Sequence, residues 1–380
     1  MSRVAPTKPT LELLRSLSDE HVLRALMSRR HATRAEIAAA TGLSKPTVSE
    51  SVRRLSANGS VVDTGERTTG RGRVGTYYAL PATTGCALVG ALAPEGIVAE
   101  AIDVYGHVVA RAEAAVTRSP GAGQVARTLQ RVAGEVADGP FRLAVLSAAD
   151  PVDRATGRLV ELPDAPFLLG ALDARAALAD LVDGPVTVDN DVNWAARAEH
   201  SHGRAAGVRD FVYLFLGEGL GCAVVCDGEV RRGHAGLAGE IAHVVTVGPG
   251  GVAMRLTDVF DALGLRRAAS TAIDVPALLH AVESDSEVRK PLARAVAGAL
   301  SAMVALTDPA VVLVGGSWGR HPSVLAAVAR EFEDAPRHVP VEGAAVTGEP
   351  PLAAVRETAL QQLRDAIVTA APRRPRPGAT

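Results

Sequence analysis

Between Thr33 and Asn58 the apolar residues Ile37, Ala38, Leu43, Val48, Val52 and Leu55 recur at helical spacing, interrupted at Gly42. This pattern predicts two helices joined by a tight turn. Thr33 and Glu36 stand at the reciprocal capping-box spacing, and Gly42 supplies a turn where positive φ is cheap. Ser44 is placed to cap a second helix, which tolerates Pro46 in its first turn. That second helix leaves Lys45, Thr47, Ser49, Glu50, Arg53 and Arg54 facing outward. Such a surface suits phosphates and base edges, as in a helix-turn-helix, although a two-helix hairpin in a larger bundle shares the same caps and turn.

The flanks extend the pattern. Leu11–Arg30 contains a helix whose Val22, Leu23, Ala25 and Leu26 cover the pair. After the helix stop at Asn58-Gly59, Val61-Val62 and Thr76-Tyr77-Tyr78 read as short strands around a Gly- and Arg-rich tip. Residues 1–82 are therefore expected to form a winged helix-turn-helix. Its DNA-binding residues would be Ser44, Lys45, Thr47, Ser49 and Arg53, with Arg71 and Arg73 reaching a minor groove or phosphates from the wing. A plain surface hairpin would hold the same arginines.

From Gly85 the pattern alternates strands with helices. Three successive strands, CALVGAL, GIVAEAIDV and HVVARAEAAV, precede a helix at 123–137 and the strand RLAVLSA. A helix at 169–183, the buried strand PVTVDND, a helix at Trp194–His202 and the strands DFVYLFLG and CAVVCDG follow. The remainder is mainly helical (255–270, 275–282, 287–306, 322–334), broken by the strand AVVLVGG and closed by a helix from about Ala353 to Ala370. Residues 83–187 are expected to form one lobe, with that last helix packing back on it. Residues 188–352 make a second lobe carrying the cleft and oligomer contacts, and the Pro/Arg-rich 371–380 is a disordered tail.

Charge changes the picture more than composition does. The net charge of −2 divides into 13 Lys/Arg against 7 Asp/Glu in residues 1–80, and 27 against 35 thereafter. A basic head on an acidic body means that the head alone meets a polyanion. No apolar run approaches the ~20 residues of a membrane span, and MSRVAPTKPT lacks a signal-peptide core, so a cytoplasmic location is expected. Cys86, Cys222 and Cys226, among small or apolar neighbours, read as buried free thiols.

Two stretches of the α/β region carry chemistry. Val188-Asp189-Asn190-Asp191 ends a strand, where open α/β folds place ligands. Asn190 and Asp191 there suit vicinal hydroxyls, with the carboxylate able to deprotonate one, or they merely cap the next helix. In LGEGLGCAVVCDGEVRRGHAGLAGEIAH, Gly217, Gly219 and Gly221 suit a phosphate-cradling turn or a tight hairpin. Glu240 and His243 follow three apart, on one face if helical, and together the four polar residues suggest a polyol site.

The blocks LSKPTVSESVRRL, VDNDVNWAARAE, LGEGLGCAVVCDGEVRRGHAGLAGEIAHV and DPAVVLVGG, in that order, resemble the ROK proteins (repressors, open reading frames, sugar kinases) over nearly the whole chain. The resemblance implies an α/β body of two actin/hexokinase-like lobes behind the winged helix. It makes Asp191 the vestigial position of the kinase base, with sugar contacts at Asn190, Glu240 and His243. The sequence departs from the family at telling places. Leu88–Ala93 lacks the aspartate that serves ATP and magnesium, so ATP binding and catalysis are not expected. No cysteines follow His243, so no zinc or other metal is expected, and the Pro-Gly turn has become Ala148-Ala149-Asp150. The expected protein is a regulator of carbohydrate genes, most often a repressor, controlled by a sugar or sugar phosphate and bound as a homo-oligomer to an inverted-repeat operator. The alternatives are an active sugar kinase with a DNA-binding head, and a regulator with a decayed pocket.

Overall fold

The computed structural model describes residues 11–69, 74–116, 121–162, 170–268, 270–333 and 337–370. Arg71, Arg73 and the expected tail at 371–380 lie outside the described residues.

The chain begins with α1 (Leu11–Arg29), β1 (His31–Thr33), α2 (Arg34–Thr41), α3 (Lys45–Ala57), β2 (Val62–Arg67) and β3 (Thr76–Ala79). Val22, Leu23, Leu26, Ile37, Val48, Val52 and Leu55 pack the three helices together, each fully buried. The strands pair in the order β1-β3-β2. The two residues of sequence expected to start the wing strand begin one residue later, and β1 was not foreseen: three residues are too few to show alternation. The α1–β1 corner is turned by Arg30, whose φ of 64° is one that L residues seldom adopt.

Next come β4 (Ala87–Ala93), β5 (Gly96–Ile102), β6 (Val108–Ala114), α4 (Ala122–Glu135), β7 (Leu143–Ala148), α5 (Ala174–Ala177), β8 (Val186–Asn190) and α6 (Asp191–His202). The strands form a sheet in the order β6-β5-β4-β7-β8, antiparallel across the first three and parallel thereafter. Period-two alternation divides its faces: Leu88 and Leu92 pack toward α4, while Ala87 and Val89 face the opposite side. The long helix expected at 169–183 is only the short α5, capped by Asp173 and ended by turns around Leu178. The boundary expected at 187 falls inside β8, because Asp189 and Asn190 remain in register with Ser147 and Ala148.

The second lobe contains β9 (Phe211–Leu216), β10 (Leu220–Cys226), β11 (Glu229–Val230), β12 (Val245–Val247), β13 (Ala253–Arg255), α7 (Leu256–Ala262), α8 (Val275–Ser284), α9 (Ser286–Thr307), β14 (Val311–Gly315), α10 (Pro322–Glu333) and β15 (Val341–Gly343). Its sheet, β11-β10-β9-β14-β15, repeats the plan of the first: an antiparallel strand–turn–strand unit followed by parallel strands. Val212, Leu214, Val312 and Val314 face the helical core of this lobe, and Phe211, Tyr213 and Leu313 face α6.

The last helix, α11 (Pro350–Ala370), returns to the first lobe. Val355, Ala359 and Leu363 join Val89, Val145 and Trp194 in one buried cluster that continues into the winged helix. Two helices thus tie the molecule together. α6 lies between the sheets, with Trp194 Nε1 donating to Leu146 O at 3.0 Å and Val192 and Ala195 packed on the second lobe. α11 runs beside it to the winged helix.

Candidate nucleic-acid interface and binding cleft

The helix-turn-helix is capped as its sequence implies. Glu36 Oε2 accepts from Thr33 N–H at 2.8 Å, and Thr33 Oγ1 accepts from Glu36 N–H at 3.3 Å. The bond from Thr33 N–H, together with one donated by the Thr33 hydroxyl at 2.9 Å, holds the Glu36 carboxyl below its ordinary range. Gly42 has φ 71°, and Ser44 Oγ accepts from Thr47 N–H at 3.3 Å while also bonding the Thr47 hydroxyl at 2.7 Å.

Ser44, which caps α3, is exposed, as are Lys45 and Arg53 on the helix, while Thr47 and Ser49 are half-buried. Arg53 is engaged by Glu50 through Nε at 3.0 Å and Nη2 at 2.7 Å. Arg54 is not an outward contact residue. Its guanidinium reaches back to Asp19 of α1, Nη2 to Oδ1 at 2.7 Å, and to Ser51 Oγ at 3.0 Å, bracing α3 against α1. Arg34 was not singled out from sequence; it stacks 5.0 Å from the centre of the Tyr78 ring at the base of the wing.

The second site is a cleft of about 550 Å3 between the lobes. Its walls are the β4–β5 turn, the end of β7, the first turn of α6, the β9–β10 turn and the loop around Glu240. Asn190, Asp191, Glu240 and His243 all line it, as do Gly217, Gly219 and Gly221.

The two readings of the strand end are compatible at Asn190, which lines the cleft and also caps the helix that follows. Asn190 caps α6, its Oδ1 accepting from Val192 N–H at 3.0 Å. Its Nδ2 donates to Asp150 O at 3.3 Å, fastening the end of β7 to α6. Asp191 Oδ1 also accepts from Val192 N–H, at 2.8 Å. Asp189 turns away from the cleft; it receives Asn193 Nδ2 at 2.9 Å and faces Arg232 Nε, from the other lobe, at 3.2 Å. Glu240 and His243 sit on turns, not on a helix. Gly239 explains this: its φ is 99°, and a Cβ there would lie 1.8 Å from Cys222 O. Gly221 likewise admits α6, since a Cβ would meet Val192 Cγ2 at 2.7 Å.

The cleft contains acids beyond those anticipated. Asp150, 3% exposed, lies just beyond the end of β7, and Glu95 comes from the tip of the β4–β5 turn. Glu218 lines the cleft in an ion pair with Arg267. Burial, Asp150, Glu240 and Glu95 push the Asp191 carboxyl up to about 7. Glu240, which stays exposed at the cleft wall, is also raised, to about 7, by desolvation within the cleft and by Asp150. The signal for Glu95 was its place two residues beyond β4; no local spacing could pair Glu218 with Arg267.

Two of the three cysteines are less buried than expected. Cys222 is buried, which raises its thiol to about 12, whereas Cys86 and Cys226 are half-buried; all three are free thiols. Among the described residues no three of His, Cys, Asp and Glu converge as a metal-binding group, and no helix is long and apolar enough to cross a membrane.

Residues 124–256 match the ROK family and residues 21–72 the MarR family. The N-acetylmannosamine kinase of Citrobacter koseri is 30% identical over 213 residues, which cover 53% of this chain and 69% of that protein. The bifunctional enzyme NanE/NanK of Brucella melitensis biotype 1 is 32% identical over 142 residues, 36% of this chain, and the chain spans only 27% of that protein. A crystal structure described as a ROK family transcriptional regulator, homolog of the E. coli MLC protein, superposes with a TM-score of 0.64. It is 17% identical, and the match covers 94% of this chain and 100% of that one, so it speaks for the fold. The chain belongs to the ROK family, and carries a MarR-type winged helix ahead of an actin/hexokinase-like α/β body.

Proposed function

We propose that the protein is a transcriptional regulator, a repressor of carbohydrate genes, whose hold on DNA responds to a sugar in the inter-lobe cleft. The observation that carries this is the continuity of helices. α6 begins with Asp191 at the cleft and packs along α11, and α11 grips α1 of the winged helix through Asp365 and Arg24. A ligand that favours one lobe arrangement by a few kcal/mol thereby shifts the DNA-binding head.

Lys45, Thr47, Ser49 and Arg53 enter the major groove from α3, and Arg71 and Arg73 contact DNA from the wing. One recognition helix reads too few base pairs, so two copies of the chain bind an inverted repeat. The protein works in the cytoplasm without zinc, ATP or another cofactor. Gel shifts on the DNA upstream of its own gene, with and without sugars, test the reading; sequence-independent binding at moderate salt would refute it.

A second reading, an ATP-dependent sugar kinase with a DNA-binding head, is favoured by Asp191, whose carboxyl near 7 suits a general base. Sugar-dependent ATP consumption that Asp191→Asn abolishes would establish it.

A further inference from the structure

We infer that the ligand of this cleft is a cation, a hexosamine or similar amine-bearing polyol, and not a sugar phosphate. The inference rests on the cleft being the effector site and narrows what enters it.

Glu95, Asp150, Asp191 and Glu240 line one cavity, approached from both lobes. Against them, the described lining offers only Arg267 and His243 as basic side chains. Arg267 is already paired with Glu218, so that couple adds no net positive charge. A phosphate, carrying close to two negative charges near neutrality, would enter a field of its own sign. The glycines do not offset this. Gly221 is required for packing against Val192, and a Cβ on Gly217 would lie 2.8 Å from the Phe215 ring.

A divalent metal is the other obvious counter-ion, but among the described residues no three such ligands converge on a point. The carboxylates instead border a space of about 550 Å3, which suits an organic cation with hydroxyls. An ammonium placed beside Asp191 and Glu240 would favour their charged forms. With Asp191 and Glu240 near 7 in the free protein, its arrival at neutral pH expels protons, whereas a neutral sugar expels none.

Isothermal titration of the full chain decides the matter, using glucosamine, galactosamine and mannosamine, their N-acetyl forms, the parent hexoses and the hexose 6-phosphates. At pH 7, one amine should bind at least about tenfold tighter than its N-acetyl and 6-phosphate counterparts, with an enthalpy that varies with buffer as protons are released. Glu95→Gln, on an exposed turn, and Asp150→Asn should each narrow that ratio. A neutral or phosphorylated sugar binding as well as the amine would overturn the inference while leaving the cleft an effector site. Binding of no sugar at all would overturn both.

Discussion

Arg24 of α1 and Asp365 of α11 meet at 2.8 Å although 341 positions separate them in sequence. Around this pair, Arg364 Nε donates to Val104 O at 3.0 Å, and Arg30 Nη2 lies 2.7 Å from His107 Nε2. The DNA-binding head is therefore seated on the first lobe, at a seam built by the last helix and the β5–β6 turn. Since α11 also packs along α6, whose first residue is Asp191, cleft and head share a continuous helical support.

Arg24 and Asp365 are 41% and 50% exposed, so their ion pair contributes at most about 1 kcal/mol to stability. Arg24→Ala or Asp365→Ala should consequently leave the melting temperature within a few degrees of the wild type. The ratio of DNA affinities with and without ligand should nevertheless shrink, and the double variant should shrink it no further than either single one. Fluorescence anisotropy on labelled operator measures this. A double variant with an undiminished ratio would show that the signal passes elsewhere.

Glu50 occupies both donor edges of Arg53 on the recognition helix, and this pairing holds the Glu50 carboxyl below its ordinary range. Replacing it with glutamine removes a negative charge from the DNA face and releases the guanidinium. Glu50→Gln should tighten DNA binding, most strongly for non-operator sequences, and steepen the dependence of log K on log salt by about 1. Arg53→Ala should act in the opposite direction. Titrations at several KCl concentrations read both slopes.

Glu100, 1% exposed in β5, is held by two arginines: Arg111 Nη1 at 2.6 Å and Arg356 Nε at 2.6 Å. Burial alone would raise its carboxyl, but Arg356 and Arg111 more than offset it and leave the group below its usual 4.5. A carboxyl lowered by folding stabilises the fold above about 4.5 and loses that contribution as pH falls through the folded value. Glu100→Ala should cost about 1–3 kcal/mol in urea unfolding at pH 7, because it removes charged hydrogen-bond partners from Arg111 and Arg356, although Glu349 still pairs with Arg111 at 3.1 Å. The difference from the wild type should narrow progressively as pH falls below 4.5, as the wild-type carboxyl protonates.

Local chemistry was legible in the sequence where the partners are neighbours. Thr33 and Glu36 cap α2 because a cap spans three residues, and the apolar runs of β4, β7, β9 and β14 announce two buried sheets. Legibility ended where partners are distant. Arg54 reads as an outward arginine until Asp19, 35 positions away, claims it. Glu240 and His243 would share one face only if helical, and the approach of Gly239 to Cys222 O fixes a turn instead. Asp150 was visible as a departure from a family turn; its effect on Asp191 and Glu240 emerges only once the lobes meet.

The acid cleft makes a final prediction about stability and pH. Folding raises Asp191 from 3.8 to about 7. A carboxyl raised by folding gives its full contribution below its unfolded value and loses it progressively as pH climbs to the folded one. The neutral amide of Asp191→Asn escapes that loss. Without ligand, the variant should match the wild type near pH 4, gain on it steadily toward pH 7, and hold a constant lead from there to pH 8. Each kcal/mol of lead should appear as roughly 2–4 °C in melting temperature. An amine-bearing ligand of the kind proposed for the cleft should reverse the order at pH 7.5, since Asp191 would then be ionised against its ammonium. Differential scanning fluorimetry across pH, with and without the best sugar, measures both limbs. A lead that did not change between pH 4 and 7 would mean that Asp191 is ionised throughout, with its charge already balanced in the empty cleft.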